Sequence, residues 1–370
     1  MSQLRQNIAT KEWVIIATER AKRPEDFLKK DKSKIVLPEY SKDCPFCPGN
    51  EHMSPVEHYA IRDNAPTVNA AAEKGAGKNK GNSNTGAIFD VSHANIPVKL
   101  HWRVRVIPNK FPALMPEGKK ELYHRGIVRN ITGIGVHEVI IDTPKHNTNP
   151  ALYDDTHMLD IINTYKHRYI SALSDDRIEA VIIFKNHGDA AGRSLVHPHS
   201  QVVATPVVPT HIRDRIAEAM RYYDDHMECV FCRMIKEEIE SGERIVMESE
   251  HFVVFVPYAA ISPFHLWMFP KRHIACFPMI NEQETADLAR TLKNILARIY
   301  YGLNDADYNY VIRSLPGQCR ENSFFHWYLS IIPRVTKTAG FELGSGMYIN
   351  VALPEESAKF LREVKLPPGA

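Results

Sequence analysis

Two Cys-x-x-Cys pairs, Cys44-Pro45-Phe46-Cys47 and Cys229-Val230-Phe231-Cys232, lie far apart in a chain of 370 residues. Each is followed at long range by two histidines, His146 and His197 behind the first, His273 and His326 behind the second. Two thiolates and two imidazoles are the donors of a closed tetrahedral zinc shell, the pattern of a structural site. Two such zinc sites per chain are therefore expected. In the first set the metal would fix the strand that carries His197.

The segments between these ligands repeat as well. Residues 103–108 alternate as a strand ending at Pro108, and residues 251–256 form a similar run ending at Pro257. A strand over 137–142 runs into Thr143-Pro144-Lys145-His146, as Leu266-Trp267-Met268-Phe269 runs into Pro270-Lys271-Arg272-His273. Helical periodicity covers 151–173 in the first half and 282–300 in the second, with a further helix from His211 to Asp225. An α+β unit present twice is the economical reading.

The copies differ where chemistry is expected. Val196-His197-Pro198-His199-Ser200-Gln201 sits in an apolar run and reads as a short strand, with His197, His199 and Gln201 on one face. Its counterpart is Phe325-His326-Trp327-Tyr328-Leu329, with Tyr328 where His199 stands. If an ion holds His197, His199 is left free in one half only. A neutral imidazole is suited to attacking an electrophilic phosphorus. Gln201 can donate an amide hydrogen bond to a phosphoryl oxygen. Gly188, Gly192 and Ser194 supply close backbone approach and a hydroxyl. Arg20 and Arg23 can neutralise an anionic substrate.

Bulk properties exclude other classes. A net charge of +2 with 24% charged residues gives no basic stripe, so neither nucleic acid nor a membrane surface is an expected partner. Met1-Ser2-Gln3-Leu4-Arg5 lacks the apolar core of a signal peptide, and no apolar run is long enough to span a bilayer, so a cytoplasmic setting is expected. In a reducing compartment Cys276 and Cys319 are expected to be plain buried residues. Residues 73–88, rich in Lys, Gly and Asn, read as a surface loop without P-loop spacing. His187, His211, His226, His251 and His265 are expected at the surface or as satisfied positions.

His197-Pro198-His199-Ser200-Gln201, the paired cysteines and Arg20-Ala21-Lys22-Arg23-Pro24 together resemble the galactose-1-phosphate uridylyltransferase family of the histidine-triad superfamily, in order along nearly the whole chain. The resemblance implies two histidine-triad-like halves, 1–208 and 209–370, with antiparallel sheets flanked by helices. It implies ping-pong transfer through a nucleotidyl group on His199, and zinc on Cys44, Cys47, His146 and His197. It puts phosphate and ribose contacts on Arg20, Arg23, Asn109, Asn186, Ser194 and Gln201; read alone, Asn109 equally caps a turn. A homodimer is also implied.

Departures from the hexose enzymes concern the sugar end and the second metal. Residues 339–346 lack their Tyr-Glu pair, and Ser330 and Ile332 stand where further metal-binding histidines would. The second Cys-x-x-Cys set and the Gly-Phe-Glu-Leu-Gly-Ser-Gly tail are similar to the adenylyl-transferring branch, ADP-glucose phosphorylases and adenylylsulfate:phosphate adenylyltransferases. The expected reaction is transfer of AMP from adenylyl sulfate or an ADP-sugar to inorganic phosphate, giving ADP. Uridylyl transfer to a hexose 1-phosphate and hydrolysis by water are the alternatives.

Overall fold

A computed structural model describes residues 1–20, 23–27, 37–63, 88–90, 101–320 and 322–369. Of the low-complexity loop expected at 73–88, residues 73–87 lie outside the described residues, as does the side chain of Arg20, and Ile88 opens a strand.

An eleven-stranded sheet carries the fold. From one edge its strands are Ile245–Glu248, Phe252–Phe255, Leu266–Pro270, Tyr328–Pro333, Tyr308–Arg313, Ala180–His187, His199–Thr205, Val136–Ile141, Trp102–Pro108, Tyr59–Arg62 and Ile88–Asp90. Every pairing is antiparallel. The expected duplicated α+β architecture is what forms, and the copies join edge to edge where Tyr308–Arg313 pairs with Ala180–His187.

Two long helices cover one face. Asp155–Leu173 starts four residues later than its periodicity implies. Asn149 and Pro150 first set a 3-10 turn, and the side chain of Asp154 then caps the helix by accepting from His157 N at 2.7 Å. Ile161, Ile162, Tyr165 and Tyr169 are its buried stripe, whereas Leu152 and Ile170, which the apolar spacing over 151–173 places in that stripe, are exposed. Glu282–Gly302 opens with a capping box between Asn281 and Glu284 and buries Leu288, Leu292, Ile295 and Ile299. Both stripes belong to one apolar core.

The opposite face is covered differently in the two halves. Helices Thr210–His226 and Val230–Ser241 pack over Val253, Phe255, Trp267, Phe269 and Tyr328. In the first half the Cys44–Cys47 loop sits on Ile107, Val139 and Ile141. A small sheet joins Gln3–Gln6 to Trp13–Ile16, which pairs in parallel with Tyr348–Asn350.

Three sequence expectations are corrected. The motif strand begins at His199, not Val196, because His197 is drawn to the thiols before the ladder starts. The apolar run Ala180-Val181-Ile182-Ile183-Phe184, which in the sequence reads as a strand, continues as one to His187, since Asn186 and His187 pair with Asn309 and Tyr308. Cys276 and Cys319 form a disulfide with Cα atoms 5.6 Å apart, where Leu315 N donates to Ala275 O and brings the two segments alongside.

Replacing Asn281 by Ala removes the cap of the longest helix among the described residues. Urea denaturation should then show a loss of about 1 kcal/mol with an unchanged slope.

Candidate active site and metal centres

The first metal cluster is assembled by a knuckle turn. Cys47 N donates to Cys44 O at 3.3 Å, and the Asn50 amide ties down Ser41 O, Lys42 O and Cys44 O. Cys44, Cys47, His146 and His197 are all buried and converge. Cys44 Sγ lies 3.7 Å from His197 Nδ1, and Cys47 Sγ lies 3.6 Å from it and 3.4 Å from His146 Nδ1. Zinc bonds to sulfur and nitrogen set tetrahedral edges of roughly 3.6 Å. His197 Nε2 donates to Thr143 O at 2.7 Å, so the proton sits there and Nδ1 presents its lone pair to the sulfurs. Burial pushes the Cys47 thiol up to about 11 and the His197 imidazole down to about 4. This donor set fits zinc.

The second cluster gathers three of the four expected ligands, Cys229, Cys232 and His273. Cys232 Sγ is 3.1 Å from His273 Nδ1, and His273 Nε2 donates to Asn322 O at 2.6 Å, the same tautomer logic as in the first cluster. His326 is the exception. Its ring lies 5.3 Å from that of His273, but its Nδ1 is turned to Trp327 O at 3.0 Å.

His199 opens its strand directly beside the first cluster. Its Nδ1 donates to His197 O at 2.8 Å, which leaves Nε2 without a proton. Burial, with Lys185 and Arg193 nearby, holds the imidazole below its ordinary value, so it is neutral. Behind the strand Lys185 donates to His199 O at 2.9 Å and to Asp142, which also accepts from Ser200 Oγ at 3.0 Å. Tyr165 bonds both Ser200 and Tyr310, each at 2.6 Å.

Gln201 shares the face of His199. His137 Nδ1 accepts from Ala113 N at 3.0 Å, so its Nε2 carries the proton and donates to Gln201 Oε1 at 2.9 Å. The amide nitrogen of Gln201 is thereby directed away as a donor. Asn109 stands 3.0 Å from the same His137 nitrogen and caps a turn by accepting from Phe111 N at 2.9 Å. Asn186 Oδ1 accepts from Asn309 Nδ2 at 2.7 Å, and Asn309 also bonds Ala191 O and Arg334.

The Gly188–Gly192 turn is pinned by Asp307, whose Oδ2 accepts from Ala190 N at 2.7 Å. Gly188 has φ +84°, and a Cβ there would meet Asp307 at 2.1 Å, so only glycine fits. Gly192 caps this turn in the left-handed region. Ser194 is exposed on the loop leading to the motif, and Arg23 is exposed on a turn; neither is hydrogen-bonded to His199 or Gln201 among the described residues. His137, Asn309, Lys185 and Asp142 were missed by sequence reading. For His137 a signal existed, since it alternates with Val139, the register partner of Gln201.

Residues 99–209 match the N-terminal domain of galactose-1-phosphate uridyl transferase and residues 215–358 match its C-terminal domain. An ADP-glucose phosphorylase of Arabidopsis thaliana is 34% identical over 98% of this chain and 93% of its own length. The chain belongs to the galactose-1-phosphate uridyl transferase family. Within that family it is a nucleotidyltransferase. The crystal structure of an Arabidopsis ADP-glucose phosphorylase with bound ADP-glucose superposes with a TM-score of 0.74 at 31% identity, covering 99% of this chain and 100% of that one. A galactose-1-phosphate uridylyltransferase of Thermotoga maritima is 26% identical over 99% of both chains. No described helix is long and apolar enough to cross a membrane.

Elemental analysis of the purified protein should find two zinc ions per chain. Replacing Cys47 by Ser should remove one and lower the melting temperature, whereas His199→Ala should leave the metal content unchanged.

Proposed function

We propose that this transferase moves AMP from ADP-glucose to inorganic phosphate by way of a nucleotidyl group on His199. The observation that carries this reading is the bonding of His199: Nδ1 is committed to His197 O, and Nε2 keeps a free lone pair. Nε2 attacks the α-phosphorus, the bond to the bridging oxygen breaks, and glucose 1-phosphate leaves. The Nδ1 proton stays on the ring, and its hydrogen bond to His197 O stabilises the positive charge that the imidazole gains. Phosphate then attacks the same phosphorus, the P–N bond breaks, ADP forms and His199 returns to neutral.

Gln201 donates its amide to a non-bridging phosphoryl oxygen, oriented by His137. Asn186 and the Gly188–Gly192 turn line the nucleotide's approach, with Ser194 at the rim. Zinc, when bound, anchors His197 and hence the carbonyl that holds His199. Arg20 and Arg23 complete a cationic environment for the anionic substrate; the exposure of Arg23 suits a contact made across a homodimer. Similarity to the Arabidopsis phosphorylase, higher than to the uridylyltransferase, favours the adenylyl donor.

Incubation with ADP-glucose labelled at the α-phosphorus should give an acid-labile, base-stable protein adduct. His199→Ala should abolish it, and labelling that persisted would remove His199 from the reaction. ADP-glucose with phosphate should yield ADP and glucose 1-phosphate faster than adenylyl sulfate with phosphate or UDP-glucose with galactose 1-phosphate. A preference for either other pair would reassign the substrate. His137→Ala should lower turnover on the order of tenfold or more, with little further loss when combined with Gln201→Ala.

A further inference from the structure

The second half retains the outline of the site with different side chains. Ser330 faces Trp267 and Val311 in register, as Gln201 faces Val139 and Phe184. One step further on the same face, Arg313 pairs with Tyr328, the place that Asn186 holds beside His199. His265 stands two residues before Trp267, as His137 stands two before Val139, and its Nε2 lies 2.9 Å from Ser330 Oγ. Thus Tyr328, Ser330, Arg313 and His265 replace His199, Gln201, Asn186 and His137. Of the two expectations for His265, a surface or a satisfied position, the surface one fails, since the residue is buried.

The replacements remove the nucleophile and concentrate positive charge. The Tyr328 hydroxyl is held by Arg215 Nη1 at 2.5 Å. Arg215, from the Thr210–His226 helix, and Arg313 line one small cavity together with Ser314 and Tyr328. The carboxylate within reach of Arg215 is Glu12, at 3.4 Å. Arg215 Nε, Arg313 Nε and His265 Nδ1 are buried and have no hydrogen-bond partner. Two guanidinium ions against one carboxylate leave a positive charge uncompensated in a largely apolar enclosure, which is unfavourable unless an anion completes it.

We propose that the cavity between Arg215 and Arg313 binds a free tetrahedral oxyanion, phosphate or sulfate. Guanidinium forks match the oxygen spacing of such ions. Ile182, Ile212 and Phe325 wall the rest of the cavity, so it has no room for a nucleoside or sugar attached to the phosphate. The bound ion ties the Thr210–His226 helix to the sheet at the place where the first half carries out its chemistry.

Inorganic sulfate and inorganic phosphate, titrated separately into the full-length protein, should each raise its melting temperature. In Arg313→Gln the concentration giving half of that rise should be at least about tenfold higher. The same loss should appear in a His199→Ala background, which separates the cavity from the nucleophile's site. Sulfate alone responding to Arg313 would assign the cavity to sulfate, and phosphate alone to phosphate; either supports an oxyanion site. Identical responses of wild type and Arg313→Gln would overturn it. So would an Arg313-dependent response to AMP or glucose 1-phosphate, whose phosphates are esterified. If Arg313→Gln does not fold, crystals of the unmodified protein grown with selenate decide the matter. An anomalous peak between the two guanidinium groups supports the site, and its absence rejects it.

Discussion

Lys185 lies sealed inside the sheet's helix-covered face, and the strand that opens at His199 is held from behind by it. It is 1% exposed and bonds both Asp142 and the carbonyl of His199. Asp142 N donates to Pro198 O, and its carboxylate accepts from Ser200. Residues 198–200 are therefore fixed through their backbone and one hydroxyl, leaving the imidazole on the far side. Removing one member of a buried ion pair typically costs about 3–5 kcal/mol, because the other charge is left stranded. The network extends through Ser200, Tyr165 and Tyr310 into a strand of the second half, so the precision of the first site depends on packing in both.

Much of this was legible in the sequence because it rests on local pattern. The cysteine pairs, the strands ending in proline and the long amphipathic helices each follow from spacing alone. The free state of His199 beside an anchored His197 also follows from the Cys-His inventory. What escaped depends on register. His137 becomes relevant only once Val139 is known to face Gln201, and Asn309 only once its strand joins Ala180–His187 across the middle. The disulfide was missed because a cytoplasmic assumption argued against pairing. The start of the motif strand was misplaced because alternation was extended through a proline and a metal-type ligand.

The halves illustrate how a duplicated scaffold can divide its tasks. Both keep a thiol-imidazole cluster at the same end of the sheet, and both keep a histidine bonded to the residue two beyond the position of His199 or Tyr328. In the second half helix Thr210–His226 lies over that position and Arg215 grips Tyr328, so the face is closed. In the first half the same face is flanked by the Cys44–Cys47 loop, and the Gly188–Gly192 turn lies at the end of the neighbouring strand.

The small sheet has a consequence for synthesis. Trp13–Ile16 pairs in parallel with Tyr348–Asn350, and Ala9 packs among residues of the second half. These early strands leave the ribosome long before their partners exist, whereas nascent chains ordinarily settle from the amino end. The first hairpin must wait, its outer edge unpaired, until residues 348–350 have been made. Its docking then reports that both halves have been made, like a clasp whose two parts sit far apart on one string of beads.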